Sequence, residues 1–75
     1  MKRLYYLRKQ HQLTIRKLAE HLHCDYSVYS KYERGEREVP LYILIELADF
    51  FETNLDFLLG RTDFSKKLPE PRRKK

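Results

Sequence analysis

The chain has 75 residues, 36% charged and 41% hydrophobic, with one Cys, no Trp and a net charge of +5 at pH 7. A chain this short is expected to form one domain and to bury only about 60% of its unfolded surface, which leaves little room for a deep substrate pocket and favours self-association. No apolar run approaches the roughly 20 residues that span a bilayer, the N-terminal residues lack a signal-peptide core, and one Cys cannot form an internal disulfide, so a soluble cytoplasmic protein with no membrane role is expected.

The charge is unevenly placed. Residues 61–75 carry seven Lys or Arg and two acids, the whole of the net +5, so residues 1–60 are neutral. Within that body, residues 1–19 hold six cations and no acid, and residues 38–56 hold five acids and no cation. A basic end can orient a neutral body on DNA, because local potential matters more than total charge.

Five helices are predicted. The first runs from about Lys2 to Gln10 with Leu4 and Leu7 inward. The second spans about Thr14 to Leu22, where Ile15, Leu18, Ala19 and Leu22 form one apolar stripe at i, i+3, i+4 and i+7. Thr14 is its N-cap, and Leu13 and Leu18 have the spacing of a hydrophobic staple. The turn is His23-Cys24, with Asp25 as the next N-cap and Cys24 and Tyr29 repeating the staple spacing.

The third helix, about Tyr26 to Arg34, has two chemically distinct faces. At about 100° per residue, Val28, Tyr29 and Tyr32 share an apolar arc that can pack. Tyr26, Ser27, Ser30, Lys31 and Arg34 share the other arc. That arc carries an aromatic, two hydroxyls and two cations without an acid, groups that reach base edges and phosphates in a major groove. One amphipathic helix is ordinary. Two short helices, a tight turn and this outer face together describe a helix-turn-helix.

Gly35 is a left-handed stop and residues 35–39 form a loop. The fourth helix starts near Pro40, with Leu44, Leu47, Ala48 and Phe51 inward. The fifth runs from Asn54, a good cap, to Leu59, stopped by Gly60. Beyond Phe64 there are two prolines, six cations and almost nothing apolar. Residues 1–64 are therefore read as the domain, and 65–75 as a disordered basic tail. The tail serves either solubility or non-specific DNA binding.

The segments Thr14-Ile-Arg-Lys-Leu-Ala-Glu-His-Leu22 and Ser27-Val-Tyr-Ser-Lys-Tyr-Glu-Arg-Gly35 resemble the phage repressor/Cro-type helix-turn-helix family, the xenobiotic-response-element regulators. Pro40 to Phe51 and Asn54 to Asp63 look like that family's fourth and fifth helices, so the resemblance covers about residues 3 to 63. It implies an all-α, five-helix, lambda-repressor-like fold whose third helix enters the major groove. It also implies base readers at Tyr26, Ser27 and Lys31, although Tyr26 departs from the Arg, Gln or Ser usual there. Cations and acids at the positions of Arg8 and Glu33 pair in the family and lock the first helix onto the third.

The residues themselves supply candidate roles. Lys31 can donate to guanine O6 or N7, Ser27 and Ser30 can pair with several bases, and Tyr26 can touch a thymine methyl with its ring or a phosphate with its hydroxyl. Arg16, Arg34 and Arg37 are phosphate candidates, with the N-terminus of the second helix adding positive potential. Arg8 is assigned a structural ion pair with Glu33 first and a phosphate second. His21, His23 and Cys24 lack the spacing and second Cys of a structural zinc site, so no metal or cofactor is expected. Nothing groups a nucleophile with a base and an oxyanion site, so no enzyme activity is expected.

Tyr5, Tyr6, Tyr42, Phe50 and Phe57 have no assigned place in the core, and a contiguous exposed patch of them would mark a partner surface. The fourth and fifth helices, the richest in apolar residues, are expected to form a twofold homodimer interface. The function read from the sequence is a double-stranded DNA-binding transcriptional regulator, a repressor that occupies an operator. The alternative is an antitoxin-like module that binds a protein partner and also represses its own operon.

Overall fold

The computed structural model describes residues 1–67, and most of the expected basic tail, residues 68–75, lies outside the described residues. The architecture is all-α, with five helices: α1 (Lys2–Gln10), α2 (Ile15–Leu22), α3 (Tyr26–Arg34), α4 (Leu41–Phe50) and α5 (Leu55–Leu58). α2 and α3 form the helix-turn-helix. α1 packs on α3 and α5, and α2 packs on α3 and α4. One core results, with Leu4 and Leu7 from α1, Leu18, Ala19 and Leu22 from α2, and Tyr29 and Tyr32 from α3. Ile43, Leu47, Ala48, Phe51, Phe57 and Leu58 close it from the C-terminal side.

Of the stripe expected on α4, Leu47, Ala48 and Phe51 are buried, and the departure is at one position. Ile43 is 2% exposed, whereas Leu44 is only half-buried. α4 touches α2 and α5, so its buried arc is broad and takes in Ile43. Leu44 instead lines an open groove with Leu58 and Leu59. Phe57 also belongs to the core, with the Arg3 guanidinium 4.0 Å above its ring. Phe50 is half-buried against His21, ring centroids 4.3 Å apart, while Tyr5, Tyr6 and Tyr42 remain exposed.

Every helix ends by the same device. Gln12, His23, Gly35, Glu52 and Gly60 follow the five helices with φ of 56°, 57°, 73°, 53° and 77°. The next amide in each case bonds back to a carbonyl of its helix: Leu13 to Arg8, Cys24 to Ala19, Glu36 to Lys31, Thr53 to Ala48 and Arg61 to Asp56. This is the Schellman geometry, which satisfies carbonyls left over at a helix end and reverses the chain. Short helices joined by such reversals fold tightly without long loops.

The starts are less uniform. Thr14 Oγ1 accepts from the Lys17 amide at 3.1 Å, and Asn54 Oδ1 accepts from the Phe57 amide at 2.8 Å. Asp25 holds the N-cap position of α3, but its side chain makes no cap hydrogen bond. The opening amides of α3 therefore lack the side-chain acceptor the sequence led one to expect.

Past α5 the chain returns across the body. Asn54 Nδ2 donates to the Phe64 and Lys66 carbonyls at 2.9 and 2.7 Å, and Thr53 Oγ1 donates to the Ser65 carbonyl at 2.5 Å. Arg3 holds the Thr62 carbonyl and the Asp63 carboxylate. Lys67 pairs with Asp49 at 3.4 Å. Contacts with the body thus run beyond Phe64, on the side that carries the acids of α4.

Candidate nucleic-acid interface

α3 is anchored by two tyrosines. Tyr29 is fully buried and Tyr32 is 6% exposed, their rings edge-to-face at 6.2 Å. This anchoring sends the opposite arc outward: Tyr26, Ser27, Lys31 and Arg34 are exposed and Ser30 is half-exposed. Among the described residues no acid forms a salt bridge with Lys31.

Glu33, the one acid of α3, is turned into the body. Arg8 Nε and Nη2 donate to its two carboxylate oxygens at 2.6 and 3.2 Å, and Arg8 Nη1 donates to the Leu13 carbonyl at 2.8 Å. The two side chains are 10% and 6% exposed. One guanidinium thereby fastens α1 to α3 and to the turn before α2. Its bond to Glu33 raises the Arg8 pKa. The Tyr29 hydroxyl is, among the described residues, the buried side-chain polar atom without a hydrogen-bond partner. Burial first, and the negative charge of Glu33 second, push its pKa up.

Two sequence-predicted residues meet across the helix-turn-helix. The Arg16 guanidinium, in the first turn of α2, lies 4.9 Å from the centre of the Tyr26 ring at the start of α3. Such stacking orients both groups and contributes about 0.5–1 kcal/mol at an exposed site. They line an open cleft of about 750 Å³ together with Arg8, Lys9 and Gln12. The cleft also receives the start of α2, where the first amides have no intrahelical acceptor. Lys9 and Gln12 were missed in the sequence. Lys9 stood in the basic stretch, but the left-handed turn at Gln12, which brings α1 back to α2, has no signal in a glutamine.

At the other end of α3, Arg34 is tied by two neighbours. Its Nε and Nη2 donate to the Glu36 carboxylate at 3.0 and 3.1 Å, and its Nη1 donates to Ser30 Oγ. The pairing raises the Arg34 pKa and lowers that of Glu36. Ser30 and Arg34 are thus brought together, with an acid the sequence had not singled out. Arg37 stands apart from them and lines a different groove with Met1, Lys2 and Val39.

The His and Cys residues of the turn do structural work. His23 supplies the left-handed stop, His21 packs on Phe50, and burial pushes the half-buried Cys24 thiol up. Among the described residues, no group of three or more His, Cys, Asp or Glu is placed to hold a metal ion. No described helix is long and apolar enough to cross a membrane.

The order of elements, the tight α2–α3 turn and the polar outer face of α3 define a helix-turn-helix protein. A protein-family model described as "Helix-turn-helix" matches residues 4–58, and the chain belongs to that family. It is 41% identical over 61 residues to the "Uncharacterized HTH-type transcriptional regulator YobD" of Bacillus subtilis (strain 168), a match covering 81% of this chain and 54% of the relative. It is 38% identical over 68 residues to the "HTH-type transcriptional regulator AnsR" of the same organism, covering 91% of this chain and 59% of the relative. The chain therefore spans somewhat more than half the length of these relatives. No solved structure matches it significantly.

Proposed function

We propose that this chain is a sequence-specific, double-stranded DNA-binding transcriptional regulator of the phage repressor/Cro type, reading the major groove with α3. One observation carries the reading: the outward arc of α3 bears hydroxyls, an aromatic ring and cations, while the helix's only acid is withdrawn into a buried ion pair. Lys31, Ser27 and Ser30 are the base readers, with Tyr26 on a thymine methyl or a phosphate. Arg16, beside the open start of α2, takes a phosphate. Arg37 is a further phosphate contact, and Arg34, at the end of the reading helix, can meet a phosphate or a base edge. Both relatives carry names of transcriptional regulators, which supports the assignment. The mechanism is steric: the bound protein represses by occupying a promoter.

The active form is a twofold dimer through α4 and α5. Leu41, Tyr42, Ile45 and Leu59 are 64%, 69%, 46% and 51% exposed, more apolar surface than a small monomer needs to show. A twofold pair places two copies of α3 in successive major grooves, about 34–36 Å apart. The same apolar surface also favours the second reading, an antitoxin-like module that docks a protein partner there. That module would also bind its own operator, so sedimentation, which reports whether the surface pairs with a second copy, separates the two. Selection of bound duplexes from a random library at near-physiological salt tests sequence-specific binding itself. A near-palindromic motif with half-sites one helical turn apart is the expected result. Recovery of no motif, with only salt-sensitive binding, would reject the assignment.

A further inference from the structure

We infer that Glu36 is a positioning residue that holds Arg34 in one orientation and so sets how strongly the protein discriminates its binding sequence from random DNA. The inference rests on the reading of α3 as the helix that enters the groove.

An exposed Arg is ordinarily a flexible charge, and exposed ion pairs are ordinarily weak. This pair departs from that pattern in its geometry. The carboxylate takes the guanidinium edge-on through both oxygens, the arrangement with the most directional strength. Ser30, one turn back on α3, takes a third donor on Nη1. Gly35 makes the arrangement possible. Its φ of 73° reverses the chain, and the Glu36 amide then bonds to the Lys31 carbonyl at 2.9 Å. Glu36 is thereby returned to the end of α3 by backbone geometry rather than by side-chain chance.

The donor count shows what remains for a ligand. A guanidinium has five N–H groups. Glu36 takes one on Nε and one on Nη2, and Ser30 takes one on Nη1. One N–H is left on each terminal nitrogen, a pair suited to the two acceptors on the major-groove edge of guanine. Glu36 also adds a solvent-exposed negative charge beside the arginine. That charge opposes indiscriminate attraction to phosphates, which penalises random sequence more than a site that satisfies the oriented fork.

The test uses the full chain, the duplex recovered by selection, and a scrambled duplex of equal length. Glu36→Gln keeps the shape and removes the charge. It should tighten binding to the scrambled duplex several-fold and steepen its salt dependence by about one counterion. The ratio of specific to non-specific affinity should fall by about tenfold, within the range of a lost bidentate base contact. In an Arg34→Ala background the same substitution should leave the ratio unchanged, because Glu36 acts through Arg34. Melting temperatures should match across the set, both side chains being exposed. An equal gain for both duplexes, in either background, would reduce Glu36 to a bulk charge and overturn the inference. If the wild type selects no motif at all, the reading of α3 itself fails, and that outcome is distinguishable from the first.

Discussion

His23 joins α2 to α3 in the left-handed region, at φ 57° and ψ 41°. An L-residue with a β-carbon is strained there by about 1–2 kcal/mol, whereas glycine is not. Part of that gain is offset by the entropy glycine loses on folding. His23→Gly should therefore stabilise the domain by about 0.5–1 kcal/mol. Thermal melts should show a midpoint higher by several degrees, and an unchanged or lower midpoint would mean the imidazole makes an offsetting contact. Tyr29 offers a second test. Its hydroxyl is buried without a partner, and its pKa is raised above the unfolded value of about 10. The unfolded chain then ionises first, so the stabilising contribution is fully present below pH 10 and is lost as the pH rises further. Tyr29→Phe should be neutral or stabilising by up to about 1 kcal/mol at pH 7, and should flatten the alkaline loss in urea titrations. Tyr32, also pushed up by burial, leaves a residual slope.

At the scale of elements, a buried ion pair, Arg8 with Glu33, joins α1 to α3. Removing one partner of a buried ion pair strands the other charge, a loss of about 3–5 kcal/mol. Small domains have only about 5–15 kcal/mol in total. Glu33→Ala should thus lower stability by that amount in urea unfolding, and a change under about 1 kcal/mol would show that the Arg8 charge finds water instead. Much of this level was legible in the sequence. The stripes of α1 and α2 stood at helical spacing, and the Thr14 and Asn54 caps are oxygen-bearing residues just before apolar runs. On α4, Leu47, Ala48 and Phe51 were legible as inward, and Ile43 in place of Leu44 was not. Leu41, Tyr42, Ile43, Leu44, Ile45 and Leu47 put apolar side chains nearly all round one helix, so periodicity could not say which of Ile43 and Leu44 is covered. The stops at Gln12 and Glu52 were hidden for a different reason. Neither residue type signals a left-handed turn, and the chain adopts it there because the returning amide and the packing that follows compensate the strain. The reversal at Gly35 was visible, but that it turns the Glu36 carboxylate onto the Arg34 guanidinium was not, since side-chain pairing across a turn leaves no mark in spacing.

The whole molecule is polar in charge and uneven in hydrophobicity. Its basic start feeds the cleft at α2, while the acids of α4 lie on the side where Lys67 pairs with Asp49. The exposed Leu41, Tyr42 and Ile45 occupy the remaining arc of α4. Sedimentation at rising concentration should show a reversible dimer that Ile45→Glu disperses, with the fold intact by circular dichroism. A monomer at every concentration, bound singly to DNA, would assign that strip to another partner. The residue types of the proposed reading face were visible in the chain, and their outward placement follows from the burial of Tyr29 and Tyr32. Their pairing into Arg16 with Tyr26 and Arg34 with Ser30 depends on tertiary contact and could not be read from spacing.

The most direct measurement compares the motifs selected from a random duplex library by the wild type and by Lys31→Ala. The wild type should recover a palindrome, and the variant should lose preference at one position in each half-site while keeping the spacing. An identical motif from both proteins, or none from either, would contradict base reading by α3.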